Sequence, residues 1–129
     1  MKRQMPMISV VLFCGLVCAM APLPAAAAAL PIKVRACSET TIKNIGHRLQ
    51  GASDSGSVVQ YANGGVQISY ETISAIHRSH IGDKVRVCLV SIPQNCPPGD
   101  DRGRVYKATN LRTGESWEAP DSQHSCGGA

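Results

Sequence analysis

The chain is poor in aromatic residues, which limits both its core and the ligands it could stack against. Of its 129 residues, one is Phe, one is Trp and three are Tyr. The single Phe, Phe13, lies in an N-terminal apolar run, so only four aromatic rings remain for the rest of the chain. A surface that stacks nucleic-acid bases needs several rings on one face. The scarcity argues against such a surface and predicts a small core built mainly from Val, Ile and Leu.

An excess of one charge sign is also missing. The chain has 13 Lys and Arg against 9 Asp and Glu, a formal charge of +4, but Lys2 and Arg3 belong to an N-terminal leader. Without those two residues, 11 basic residues stand against 9 acidic ones and the charge falls to +2. Nucleic-acid binding usually requires a clustered basic face. We therefore predict that nucleic acid is not a partner.

Motifs for catalysis and cofactor binding are absent as well. The sequence has no G-x-S-x-G nucleophile elbow, no P-loop and no G-x-G-x-x-G turn. These absences give no support to nucleophilic hydrolysis or to nucleotide binding. We predict no cofactor, and we favour a non-enzymatic function.

No apolar run is long enough for a membrane span, but one has the length of a signal sequence. Met7–Met20 is uncharged and falls short of the ~20 residues that a spanning helix needs. Lys2 and Arg3 precede the run, and Ala25–Ala29 follows it with A-x-A cleavage sites. This three-part plan predicts a cleaved signal peptide over residues 1–29. The protein is then periplasmic or secreted, with no membrane span after processing.

The remaining residues, 30–129, suffice for a single small domain. An even number of cysteines in an exported domain of this size indicates two disulfides. The four are Cys37, Cys88, Cys96 and Cys126. A four-thiolate metal site is the alternative, but no pair has the C-x2-C spacing that such sites usually use.

Short β-rich runs alternate with turn residues. The strand-like runs cover residues 40–49, 58–62, 66–71, 84–92, 104–110 and 116–119, and residues 32–36 form a short strand or an extended arm. Asn63-Gly64-Gly65 is a strong hairpin signal. After it, Val66, Ile68 and Tyr70 alternate with polar residues, which predicts a half-buried strand. Ile73 and Ile76 have helical spacing within residues 72–80, where one or two helical turns are expected.

This order predicts an all-β fold with one short helix: a small disulfide-stapled barrel of the OB type, β-β-β-α-β-β. A β-sandwich would use the same strands and stays open. In the OB topology the first and fourth strands are neighbours, which makes a Cys37–Cys88 bridge geometrically reasonable. Cys96–Cys126 would then fix the loop after the fourth strand to the C-terminal tail. This pairing is one of three that four cysteines allow.

The densest polar stretch suggests a contact surface. We expect loop 93–104 and turn 110–116 to present four residues to a partner, either an envelope protein or a small anionic ligand. The four are Arg102, Arg104, Arg112 and Trp117. A proline-rich loop fixed by a disulfide would lose little entropy on binding. The alternative interpretation is a solvated turn in which Asp100 and Asp101 pair with the arginines, and a packing role for Trp117.

Two other function classes remain. An envelope enzyme, or an inhibitor of one, would need a cleft that holds a histidine with a shifted pKa. A periplasmic metal carrier could use His77 and His80, which are three residues apart and would share a helical face, with His124 and Cys126 completing the set.

From Cys88 onward the sequence contains four distinctive segments: CLVSIP, CPPGDDRG, TNLRTGESW and DSQHSCGG. In these segments the chain resembles small exported proteins of Gram-negative bacteria that share such a tail, a group of unassigned function. The resemblance covers most of residues 30–129. It favours a periplasmic location and implies no activity, ligand or catalytic residue.

Overall fold

The computed structural model describes residues 19–21 and 29–128. The predicted signal peptide, residues 1–29, lies almost entirely outside the described residues. No helix within the described part is long and apolar enough to cross a membrane.

The described residues form one antiparallel sheet and one short helix, so the predicted all-β class is confirmed. The elements are β1 (Cys37–Gly46), β2 (Ser57–Tyr61), β3 (Val66–Ser69), α1 (Ser74–His77), β4 (Lys84–Ser91), β5 (Val105–Asn110) and β6 (Ser116–Pro120). The sheet order is β3-β2-β1-β4-β5-β6. The first and fourth strands are neighbours, as the OB-type order requires, and β6 adds a sixth strand through its hairpin with β5.

The long strand β1 curls the sheet into a half-barrel. Its first half, from Cys37 to Thr41, pairs with β4, and its second half, from Ile42 to Gly46, pairs with β2. The register shifts between Ile42 and Asn44, which marks a β-bulge. Bulges bend a strand and increase its twist, and here the bend turns β2 and β3 toward the far edge of the sheet.

The core lies on the inner face of this half-barrel. It consists of aliphatic residues with a few rings, as the composition predicts: Ile42, Val59, Tyr61, Ala75, Ile76, Val85, Val87, Leu89, Tyr106, Ala108 and Trp117. Ile76 from the single helical turn is fully buried against it. The helix therefore closes one end of the half-barrel, although it covers less than the predicted 72–80.

A buried glutamine joins the two edges of the sheet, β3 and β6. Gln67 has no exposed surface. Its amide nitrogen donates to the backbone oxygens of Tyr106 (2.7 Å) and Ala119 (2.9 Å). Its amide oxygen accepts from the Tyr61 hydroxyl and from the Trp117 indole N–H (3.0 Å). A buried amide with all its partners is well tolerated, so a polar side chain links strands that share no backbone ladder.

This glutamine reverses the expected orientation of β3. The apolar residues of the alternating pattern, Val66, Ile68 and Tyr70, lie on the outer face, and Tyr70 is 55% exposed. Residues 32–36 form an arm rather than a strand: the Arg35 amide donates to the Leu89 carbonyl at 2.9 Å. β1 ends at Gly46, three residues before the predicted end at residue 49.

Both disulfides have the predicted pairing. Cys37 and Cys88 face each other across β1 and β4. Cys96 and Cys126 join the loop after β4 to the tail, 30 residues apart in sequence. Each bridge restricts the unfolded chain by about 4 kcal/mol in the loop-entropy model, a large share of the ~5–15 kcal/mol that stabilises a typical domain.

Candidate functional site

The two parts of the predicted contact surface are well separated. Loop 93–104 and turn 110–116 lie at opposite ends of β5. A six-residue strand spans about 20 Å, so one small ligand cannot touch both. A partner with a larger footprint, such as the predicted envelope protein, can contact both, so this contact surface stays a prediction.

The three arginines of that prediction each contact a carboxylate. The ion pairs are Arg102–Asp100 at 2.9 Å, Arg104–Asp101 at 3.5 Å and Arg112–Asp83 at 2.7 Å. The alternative interpretation of this stretch, arginines paired with neighbouring aspartates, holds for the first two. Arg102 also donates to the Gly128 carbonyl at 3.1 Å, which links the loop to the tail.

Arg112, which is exposed, contacts a polar cluster around the buried Asp83. The Asp83 carboxylate accepts from Arg112, from the Asn110 side chain (2.8 Å) and from the His80 backbone amide (2.8 Å). The Arg112 guanidinium first, and then Asn110, hold the pKa of Asp83 well below its usual range. The cluster ties the loop before β4 to the turn between β5 and β6, which is a structural task.

Trp117, the fourth predicted contact residue, is only 5% exposed. Its indole packs in the core and donates to Gln67. It therefore cannot anchor a partner at the surface.

The histidines make a different pair from the one expected. The ring stacked on His77 is that of His47, with centroids 4.9 Å apart, and not that of His80. His77 Nε2 lies 3.0 Å from Ser57 Oγ, a hydroxyl with no exposed surface. Burial, and then the neighbouring His47, lower the pKa of His77. Among the described residues, no three His, Cys, Asp or Glu side chains lie close enough together to hold a metal ion.

A hollow lies on the outer face of the sheet, where β1 ends and β2 begins. We call it the groove; its volume is about 510 Å³. It is lined by Asn44, Ile45, Gly46, His47, Arg48, Gln50, Gly51, Val58 and Gln60. Sequence reasoning missed it, because Asn44 and Gln60 become neighbours only through the register of β1 with β2.

One wall of the groove is the rim loop, residues 47–56, which folds back on itself. Arg48 Nε donates to the Ser55 carbonyl, and the Leu49 amide donates to Ser55 Oγ, both at 2.9 Å. The loop ends at Gly56, where φ is +117° and a Cβ would lie 2.0 Å from the Ser69 carbonyl oxygen. Only glycine lets the loop lie so close to β3.

Arg48 fixes the rim loop to the rest of the molecule. Its guanidinium lies over the Tyr70 ring, 4.3 Å from the centroid, in a cation–π contact. It also donates to the Gln123 side chain in the tail at 3.2 Å. The wall of the groove is thus held in place before any ligand arrives.

The carboxamide side chains that line the groove differ from the arginines in making no side-chain hydrogen bond within the described residues. Asn44, Gln50 and Gln60 are exposed, and within the described part of the chain their carboxamides make no side-chain hydrogen bond. No carboxylate is among the lining residues. A second hollow of about 300 Å³ runs from Gln60 to the Asn63-Gly64-Gly65 turn, so Gln60 borders both.

Comparison of the chain with family models, with curated proteins and with solved structures gives no match. The function of the groove is therefore inferred from its own geometry and chemistry.

Proposed function

We propose that this protein is an exported, non-enzymatic binding domain and that its ligand occupies the groove beside the rim loop. The observation that supports this most is the set of three carboxamides, Asn44, Gln50 and Gln60, which face a preformed hollow and make no side-chain hydrogen bond in the part of the chain that the structure describes. The signal-peptide pattern and the two disulfides favour a periplasmic or secreted location, because disulfides persist in oxidising compartments.

The position of the groove supports the proposal. OB-type barrels bind oligonucleotides and oligosaccharides on the face of strands 2 and 3 and on the loops between strands 1 and 2 and between strands 4 and 5. In this chain the first of these loops is the rim loop and the second contains residues 93–104. The groove lies at the first, and β2 contributes Val58 and Gln60 to it. The correspondence is an analogy at the level of fold. It agrees with the independent observation of unpaired polar groups at the same place.

Binding fits the groove better than catalysis does. Its titratable lining residues are His47 and Arg48, and no lining residue can supply a carboxylate. Ser57, whose hydroxyl lies beside His77, is buried and accepts from the Ile73 amide at 2.8 Å. A nucleophile must reach its substrate, and this oxygen has no exposed surface.

Chemical-shift mapping on the oxidised, processed protein (residues 30–129) tests the proposal. The probes are glycine, trialanine, inorganic phosphate, UMP and neutral mono- and trisaccharides, each at millimolar concentration. We expect at least one probe to shift the backbone amides of residues 44–60. Gln60→Ala should weaken that binding, whereas the matched variant Gln94→Ala, an exposed glutamine in loop 93–104, should not. Shifts confined to loop 93–104, or none with any probe, would overturn the proposal.

A further inference from the structure

We propose that the ligand of the groove is a neutral oligosaccharide that lies along β2. This inference rests on the proposed function, since it names the chemical class that the same groove would take.

The carboxamides suit sugar hydroxyls. Each carboxamide offers one carbonyl acceptor and an NH₂ group with two donors, and each sugar hydroxyl can donate and accept. Asn44 and Gln60 are direct partners across β1 and β2, so their side chains start from adjacent positions on the outer face. Gln50 reaches the same hollow from the rim loop. Three such groups around one hollow can hold a row of hydroxyls in a fixed orientation.

The charges along the two hollows do not build a tight ion site. The exposed ammonium group of Lys43 borders the second hollow, and Lys43 is the charged residue in its lining. The groove has no carboxylate to attract a cation. Its one guanidinium, that of Arg48, already donates to Ser55 and Gln123 and lies against Tyr70. A tight anion site usually presents a guanidinium with both prongs free for bidentate contact. Arg48 instead serves to hold the wall of the groove.

The floor of the groove adds apolar contact. Val58 in the groove and Val66 in the second hollow are half-buried on the outer face of β2 and β3. Pyranose rings combine polar edges with C–H faces, and those faces can pack on such valines while the hydroxyls meet the carboxamides. A nucleobase would instead need exposed aromatic rings to stack on, and the ring beside the groove, Tyr70, has Arg48 over one face.

The two hollows together favour more than one sugar unit. They share Gln60 and follow β2 from the rim loop to the hairpin turn. A five-residue strand spans about 17 Å, which is longer than a single pyranose ring. An oligosaccharide that follows β2 should therefore bind more tightly than its monosaccharide.

Isothermal titration with neutral sugars tests the inference. The probes are maltotriose, cellotriose and triacetylchitotriose, each compared with its monosaccharide, and trialanine and inorganic phosphate represent the other ligand classes. We expect at least one trisaccharide to bind about tenfold more tightly than its monosaccharide, and Gln60→Ala to weaken it about tenfold, as loss of one or two hydrogen bonds would.

Gly46→Ile provides a second variant that should not disturb the fold. A Cβ at Gly46 would meet no atom within 4 Å, and the residue faces Val58 across the ladder. A β-branched side chain there suits a strand and raises the floor of the groove. We expect an unchanged or higher melting temperature and about tenfold weaker trisaccharide binding.

The outcomes separate this inference from the proposed function. Binding of trialanine or phosphate, but of no sugar, with shifts at residues 44–60 would overturn the oligosaccharide class and leave the groove as the binding site. Sugar binding that Gly46→Ile and Gln60→Ala leave unchanged would overturn the inference, because the sugar would then lie elsewhere. If no probe shifts the groove residues, both fail.

Discussion

The β4–β6 half of the molecule and the β1–β2 groove use their polar residues in opposite ways. In the first half, Arg102 and Arg112 bind Asp100 and Asp83, and the loop, turn and tail are held together by these contacts. In the groove, Asn44 and Gln60 face solvent with no side-chain partner among the described residues. The charged arginine and aspartate side chains therefore stabilise the fold, and the uncharged carboxamides remain for a ligand.

In the β4–β6 half, hydrogen bonds and a disulfide hold loop 93–104 against the C-terminal tail. The Gly127 amide donates to Asp100 at 3.0 Å, and the Cys126 amide donates to the Arg102 carbonyl at 2.9 Å. The disulfide from Cys96 to Cys126 closes the same unit. Exposed ion pairs alone are each worth ~0–1 kcal/mol, so the order of this region depends mainly on the covalent link.

The largest effect should come from breaking that link. A double variant, Cys96→Ser with Cys126→Ser, should lower the free energy of unfolding by about 4 kcal/mol, measured by urea denaturation. Ligand binding in the groove should persist at temperatures where the variant is folded. If the folded double variant also loses ligand affinity by as much as it loses stability, the loop–tail region and the groove form one unit. That result would contradict the comparison.

The next largest effect should come from the glutamine that joins β3 to β6. Gln67→Met removes the amide and leaves the Tyr61 hydroxyl and the Trp117 indole N–H without that partner in the core. The Tyr106 and Ala119 carbonyls lose one hydrogen bond each but stay paired in the β5–β6 ladder. The free energy of unfolding should fall by about 3 kcal/mol or more, because each unsatisfied buried group costs ~1–3 kcal/mol. The matched change on the outer face, Gln60→Met, should alter it by no more than ~0.5 kcal/mol. Similar values for both variants would contradict the buried role of Gln67.

A smaller effect concerns the stability of the fold at acidic pH. The pKa values of Asp83, Asp100 and Glu115 are all lowered by their arginine partners. A carboxyl group with a lowered pKa in the folded state stabilises the fold above its unfolded pKa of about 4, and that contribution is lost as the pH falls below it. Denaturation midpoints should therefore drop between about pH 5 and pH 3. Asp83→Asn should flatten the drop, whereas an identical pH profile would show that Asp83 does not contribute.

The smallest expected effect involves the histidine pair. His77 has a lowered pKa, so its neutral form stabilises the fold above the unfolded value of about 6.5 and its contribution falls with acidification. His77→Gln should remove a modest loss of stability between pH 7 and pH 5. If the stability of His77→Gln depends on pH as that of the parent protein does, this role of His77 is contradicted.

The sequence predicted the strands, hairpins and disulfides because their signals are local. The Asn63-Gly64-Gly65 turn is recognisable because it needs glycine, and φ at Gly64 is +89°. Four cysteines allow only three disulfide pairings. The separation of loop 93–104 from turn 110–116 could also be predicted from the sequence. A strand predicted over residues 104–110 already places loop 93–104 and turn 110–116 at its opposite ends.

The groove and the buried glutamine could not be predicted in the same way. Gln67 reads as an exposed strand residue until the backbone carbonyls of two distant strands reach it. Asn44 and Gln60 are ordinary polar residues until a bulge in β1 sets their register. Both features depend on contacts between distant segments, which single-sequence patterns do not encode.

The most direct test compares two substitutions, one in each region, against a ligand found by the shift mapping. Gln60→Ala in the groove should weaken binding about tenfold, and Arg102→Ala in loop 93–104 should change it less than about twofold. The opposite order, with Arg102→Ala costing more than Gln60→Ala in titrations of two equally folded variants, would contradict the assignment of function to the groove.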